Sequence, residues 1–464
     1  MAKVPCKTPE LLKAISMPVN QLQPVTLPNY PTLREAFWYW LKLGCISFGG
    51  PAGQIAIMHH DLVDQKKWIS ENRFLNALNY CMILPGPEAQ QLATYIGWLM
   101  HRTWGGLMAG VLFILPSLFL LMLLSYLYIR FGHLPTMAGV LYLIKSAVVA
   151  IVLFAAHRIG TRALKNSALW LVALASFIAI TLFSIPFPII IVMAGLVGAV
   201  GYRYAPSWFT FNMPHGAKVH QKGVAFLDDD TPLPPHAKFK WSTFVWVLLI
   251  GLACWLSSMS ILVAIFGWQS VYSQMAWFFT KAALLTFGGA YAVLPYVFQG
   301  AVEQYHWLTP AQMMDGLALG ETTPGPLIMV VTFVGFLGGW AHSATVDTLY
   351  SAMTAALVVT FFTFLPSFVF IFLGAPFIES TKHTLRLAAP LTAITASVVG
   401  VILALALFFA WHLFFPATLE NPDYIAMLFA GVGFVALWRF KYSVIQLIGG
   451  YAIIGLLLQL LHVI

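Results

Sequence analysis

The sequence predicts an all-α integral membrane protein made of two inverted-topology repeats, whose broken, re-entrant helices meet at mid-bilayer. Composition is the first observation behind this. Of 464 residues, 60% are hydrophobic and only 9% are charged, a balance that places a chain in the membrane. The second observation is an internal duplication. Residues 42–87 align without a gap on residues 281–326, an offset of 239, and 11 of the 46 pairs are identical. These are Lys42/Lys281, Phe48-Gly49-Gly50/Phe287-Gly288-Gly289, Val63/Val302, Gln65/Gln304, Trp68/Trp307, Leu78/Leu317 and Pro85-Gly86-Pro87/Pro324-Gly325-Pro326. The third is the character of those tripeptides. Proline has no amide proton and clashes with the turn before it, so a helix arriving there must break. Broken backbone at membrane depth is tolerated only inside protein or beside a water-filled cavity.

The first 32 residues are polar and dotted with proline, without the apolar run of a cleaved signal peptide. They read as a cytoplasmic tail. The first repeat follows over 33–204. It opens with an apolar stretch, 36–60, interrupted at Gly49-Gly50-Pro51. A polar connector over 61–73 ends in Trp68-Ile69-Ser70, where Ser70 caps the next helix. Its partner Thr309-Pro310-Ala311-Gln312 is a fuller start signal, with a capping residue, a first-turn proline and a glutamine to close the box. The stretch 71–84 is about 21 Å of helix, and a bilayer core is about 30 Å thick. Pro85-Gly86-Pro87 therefore falls near mid-membrane. A short helix over 88–101 returns to the surface at His101-Arg102, and spans near 105–129, 138–157, 168–185 and 187–204 complete the repeat.

A linker over 205–240, with Asp228-Asp229-Asp230 and several prolines, precedes one extra span at 241–266. The second repeat occupies 267–464: broken segments at 274–299 and 313–340, then spans near 346–374, 388–412, 423–438 and 443–463. Leu115-Pro116-Ser117 matches Leu365-Pro366-Ser367 at an offset of 250, so the second copy holds 11 more residues before this motif.

Each repeat contains an even number of crossings, so the extra span turns the second one upside down. Lysine and arginine positions agree with this. With a cytoplasmic amino terminus and every apolar stretch crossing, 17 of the 24 lie inside. Four lie outside (Lys66, Lys67, Arg73, Arg130), and Lys42, Lys145 and Lys281 lie within the membrane. If the broken stretches are hairpins returning to their own side, the count becomes 20 inside against 1 outside. Nine spans plus four re-entrant elements is thus the better arrangement. It places the linker in the cytoplasm and the carboxyl terminus outside. The net charge of +8 is then mainly a topology signal facing the anionic inner leaflet.

Inverted repeats with broken helices meeting at mid-bilayer form a recurrent transporter architecture. The helices after Gly49-Gly50, Pro85-Gly86-Pro87, Gly288-Gly289 and Pro324-Gly325-Pro326 all begin near the membrane centre. Each start exposes unpaired amides and about half a positive charge, so their convergence makes an anion site without a metal. Gly86 and Gly325 let the backbone approach the anion. Lys42 and Lys281, seven residues before each Gly-Gly, supply charge at membrane depth. Ser47, Thr286, Thr322, Thr323, Gln90 and Gln91 add neutral donors. Glu88 and Glu321, beside the two tripeptides, are the candidates for a coupling proton. No nucleophile–base pair marks a catalytic site, and the four cysteines have neither disulfide nor metal spacing. His59-His60-Asp61 lacks a third ligand cluster. No cofactor, metal or nucleic-acid partner is expected. The bilayer is, and a homodimer is compatible with the sequence.

The Phe-Gly-Gly blocks, the Trp-Ile-Ser and Trp-Leu-Thr connectors, Leu-Pro-Gly-Pro-Glu-Ala-Gln-Gln-Leu (84–92) and Gly-Glu-Thr-Thr-Pro-Gly-Pro-Leu (320–327) resemble the chromate ion transporter (CHR) family in its long, two-repeat form. The resemblance spans roughly residues 33–464. It implies a bacterial inner-membrane exporter of chromate, powered by the proton or electrical gradient, with sulfate as the competing analogue. It also implies antiparallel halves, as the charge distribution indicates independently. Chromate and sulfate share charge and shape, so a sulfate or other oxyanion importer, or an oxyanion channel, is the alternative. The linker and the 11-residue insertion are more elaborate than the resemblance leads one to expect.

Overall fold

The computed structural model describes residues 30–204, 208, 225–228, 231, 234–343, 347–380, 388–415 and 421–462. The expected tail up to residue 29 and Asp229-Asp230 lie outside the described residues. Among them the regular structure is helical, apart from one isolated parallel bridge between Ile69 and Leu227. The first repeat holds α1 (Leu33–Ile46), α2 (Gly50–His59), α3 (Glu71–Cys81), α4 (Glu88–Phe131), α5 (Pro135–Ala163), α6 (Ser167–Thr181) and α7 (Phe187–Tyr204). The extra span is α8 (Trp241–Phe266). The second repeat holds α9 (Val271–Leu284), α10 (Ala290–Phe298), α11 (Pro310–Thr322), α12 (Val330–Ala341), α13 (Thr348–Ser380), α14 (Ala388–Phe414), α15 (Tyr424–Trp438) and α16 (Val444–Leu460).

Local sequence explains where these helices start and stop. A capping box between Thr32 and Glu35 opens α1. The chain then breaks over Ser47–Gly49, because Gly49 and Gly50 take φ of 87° and 72°, a region costly for residues with a Cβ. Ser70 accepts the amide of Arg73 to start α3, and Thr309 with Gln312 forms the full box at α11. The third helix is shorter than the sequence suggests: it ends at Cys81 rather than 84. Two prolines three and five residues beyond Met82 disfavour helical backbone just ahead of them, so the last turn unwinds early. The expected surface turn at His101-Arg102 is a reversal inside α4, where Arg102 takes φ 57° and ψ −156°. It brings the halves of α4 back to back, so close that a Cβ on Gly97 would stand 2.6 Å from the Cβ of Ala109.

The duplication extends to backbone conformation. Positive φ recurs at Gly49/Gly288, Gly50/Gly289, Gly86/Gly325 and Lys67/His306, each pair 239 residues apart. A six-residue π turn follows each re-entrant helix, at His60–Gln65 and at Gln299–Gln304. Tyr39 packs edge-on against Trp68 at 5.3 Å, and their counterparts Phe278 and Trp307 do the same at 5.7 Å.

The first broken segment returns to the side it came from. Tyr30, at the entrance to α1, donates to the Met100 carbonyl and lies 4.9 Å from the Phe226 ring. The amide of that same Phe226 donates to the Lys67 carbonyl at 3.0 Å. Residues 30–31, the connector at 66–70, the end of the returning helix at 98–101 and the linker at 225–228 and 234–237 therefore share one face. A crossing between 33 and 66 would separate them, so α1 and α2 form a hairpin. Six described helices are long and apolar enough to cross: α4, α5, α7, α8, α13 and α14. The helices α6, α15 and α16 are also apolar but shorter. Helix α8 buries only Gly251, Met259 and Leu262, as expected of a span whose other faces meet lipid. Inside, α5 and α14 form the scaffold on which α6, α7, α15 and α16 pack.

Candidate functional site

The breaks of the two repeats bond to each other across the centre of the molecule. The Gly86 amide donates to the Thr286 carbonyl at 2.8 Å, and the Gly325 amide donates to the Ser47 carbonyl at 2.8 Å. Gly86 and Gly325 are duplicated partners, and so are Ser47 and Thr286, so one contact is the pseudo-symmetric copy of the other. All four helix breaks thus meet at one crossing. The two glycine amides are spent on holding it rather than on a ligand.

A second layer of the same symmetry packs on these glycines. A Cβ on Gly325 would stand 2.8 Å from the Ser117 Cβ. One on Gly86 would collide with the Ser367 hydroxyl and the Gln91 amide. Ser117 and Ser367 belong to the duplicated Leu-Pro-Ser motifs of α4 and α13, so each span presses its serine onto the break of the opposite repeat. Gln54 on α2 ties the junction further, donating to the carbonyls of Gly325 (2.5 Å) and Ser47 (3.2 Å).

Six buried polar atoms around this crossing have no partner: the hydroxyls of Ser47, Ser117 and Ser367, and the amide oxygens of Gln54, Gln90 and Gln91. All six residues are buried. Buried polar atoms are almost always paired, and each orphan carries a cost of about 1–3 kcal/mol. Three hydroxyls free to donate are what an oxyanion needs, and three free oxygens suit water or a protonated oxyanion.

The remaining expected residues are distributed as follows. Thr286, buried at the crossing, gives its hydroxyl proton to Ala282 at 2.7 Å. Thr323 gives its proton to Gly320 at 3.0 Å and Thr322 to Leu319 at 2.9 Å, so these hydroxyls serve their own helix. Gln90 donates to Thr94 and Gln91 to the Pro85 carbonyl. Glu88 heads α4 with one carboxylate oxygen 3.8 Å from where a Cβ of Gly289 would lie. Glu321 accepts from Tyr291, two residues past that same glycine. Both carboxylates therefore flank the start of α10. Pro85, Pro87, Pro324 and Pro326 frame the two breaks, and Gly49 and Gly50 have open space beside them. The lysines stand apart from this group. Lys42 projects from the exposed face of α1, and the Lys281 ammonium sits 5.6 Å over the ring of Trp277, itself 39% exposed. Ser117, Ser367 and Gln54 were missed by the sequence reading. The repeated Leu-Pro-Ser motif was visible, and it was the available signal for the first two. Gln54 has Val293 as its counterpart, so the duplication could not flag it.

The family model described as "Chromate transporter" matches residues 34–199 and 273–456, one match per repeat. The chain belongs to the chromate transporter family. It is 30% identical over 440 residues to a chromate transport protein of Cupriavidus metallidurans, covering 94% of this chain and 96% of the relative. To a chromate transport protein of Pseudomonas aeruginosa it is 32% identical over 428 residues, covering 90% of each. A probable chromate transport protein of Synechococcus elongatus is 26% identical over 377 residues, covering 81% of this chain and 84% of the relative. No solved structure matches. Both matched segments contain a complete broken hairpin, so the crossing is built from the parts this family model covers.

Proposed function

We propose that this chromate transporter homologue exports chromate across the bacterial inner membrane, driven by the proton-motive force, and so confers chromate resistance. Its amino terminus is then cytoplasmic and its carboxyl terminus external. The reading rests on the crossing of the two repeats, where four helix breaks and three unpaired hydroxyls converge. A tetrahedral dianion seated there takes hydrogen bonds from Ser47, Ser117 and Ser367, and the converging helix starts offset its charge. Glu88 and Glu321, on either side of the start of α10, carry protons inward in exchange for the outgoing anion, as in an antiporter. Since the site lies between the repeats, tilting one hairpin against the other exposes it to one side at a time.

Radiolabelled chromate accumulation in everted, energised vesicles tests this. The expected result is accumulation that collapses with an uncoupler, is reduced by excess sulfate and falls in Ser117→Ala/Ser367→Ala at equal expression. Accumulation confined to right-side-out vesicles would instead indicate an importer. Equilibration indifferent to the gradient would indicate a channel.

A further inference from the structure

A second buried polar group lies away from the crossing, between the second hairpin and the scaffold. Asp315, in the second turn of α11, is 2% exposed, and its Oδ2 lies 3.7 Å from the Lys145 ammonium of α5. The same oxygen accepts a hydrogen bond from the Tyr128 hydroxyl of α4 at 2.9 Å. Its Oδ1 is buried without a partner. Ionisable residues at membrane depth are costly and mark functional sites, and a buried ion pair is a poor device for stability alone. The other elements packed on α11 add no titratable group here. Helix α12 has none in its sequence. Tyr451 of α16 donates to the Phe429 carbonyl, and His412 of α14 stacks on Phe408. The other carboxylate of α11, Glu321, is bonded to Tyr291. The duplication has no copy of this group: Asn76 stands at the position of Asp315, and Thr395 at that of Lys145.

We propose that Asp315 binds a coupling proton and that Lys145 is the charge it holds and releases; this rests on the transport reading above. The proton adds to the free lone pair of Oδ1, so neither existing contact must break first. The product is a neutral acid that no longer holds the ammonium, and α11 is freed from α5. Loss of the proton to the opposite side restores the pair and re-closes the hairpin. At Asp315 one proton is bound and one released per cycle, besides those at Glu88 and Glu321, and this step needs no other reactant. Glu321 lies six residues further along α11, about 9 Å on, which places Asp315 between the connector end of the hairpin and the crossing.

Reconstituted Asp315→Asn protein tests this with one substrate-free and two transport readouts. By infrared titration, the wild type gains a protonated-carboxyl band on acidification that Asp315→Asn lacks and Asp315→Glu regains. In proteoliposomes, Asp315→Asn exchanges chromate for chromate at close to the wild-type rate but loses gradient-driven accumulation by about tenfold or more. An undiminished band in Asp315→Asn, or gradient-driven accumulation equal to wild type, overturns the proposal. If the wild type exchanges no chromate, the transport reading fails instead, and the infrared band alone decides the proton site.

Discussion

Gly86 and Gly325 do the same job in opposite halves, with φ of 134° and 101° and a serine of the other repeat against each. Alanine at either costs about 1–2 kcal/mol for the backbone alone, and the clash adds about 1–3 kcal/mol. The two clashes differ in kind. At Gly86 the obstruction is the Ser367 hydroxyl together with the Gln91 amide, whereas at Gly325 it is chiefly the Ser117 Cβ. We therefore expect Ser367→Ala to recover part of the melting temperature lost in Gly86→Ala, and Ser117→Ala to recover little of that lost in Gly325→Ala. Equal recovery at both sites, by thermal denaturation in detergent, would contradict the packing described. The need for glycine at these positions was legible from the repeated Pro-Gly-Pro. Its reason was not, because a serine 281 residues from Gly86 and another 208 residues from Gly325 supply the contacts. Lys42 shows the opposite limit. Its place in an apolar stretch suggested burial, but Tyr39, Leu43 and Gly44 form the packed face of α1 and leave Lys42 on the other.

At the scale of elements, the hairpins were legible because prolines and glycines punctuate them, and the caps at Ser70 and Thr309 fall where the sequence indicates. What lies over the first hairpin was not. The linker forms a strap whose Leu227 amide donates to Trp68, whose Leu227 carbonyl accepts from Ser70, and whose Thr231 carbonyl accepts from Arg73. A linker of mixed polarity gives no periodic signal, so no pattern announces such a contact. Leu227 is 5% exposed. Leu227→Pro removes its amide bond and disturbs its burial, a loss of about 1 kcal/mol and about 2 kcal/mol respectively. Amide hydrogen exchange over 67–73 should accelerate as a result. Unchanged exchange there would mean that the strap does not hold the connector.

For the whole molecule, parity and basic residues carried the inversion, and the shared face of residues 30–31, 66–70, 225–228 and 234–237 supports the hairpin arrangement. Cysteine labelling of intact cells, in a background without the native cysteines, checks it: Lys67→Cys and Trp208→Cys should react only after permeabilisation, and His462→Cys before it. The same compartment for Trp208 and His462 would remove the inversion. The two halves are closed differently, the first hairpin by the linker strap and the second by Lys145–Asp315, although the crossing they share is symmetric. That crossing is the central claim, and anion-dependent stabilisation of the purified protein tests it most directly. Chromate at about 100 times its dissociation constant should stabilise the wild type by about 2.7 kcal/mol, with sulfate competing, and Ser47→Ala/Ser117→Ala/Ser367→Ala should lose most of this shift while remaining folded. A full shift in the triple variant would place the anion elsewhere.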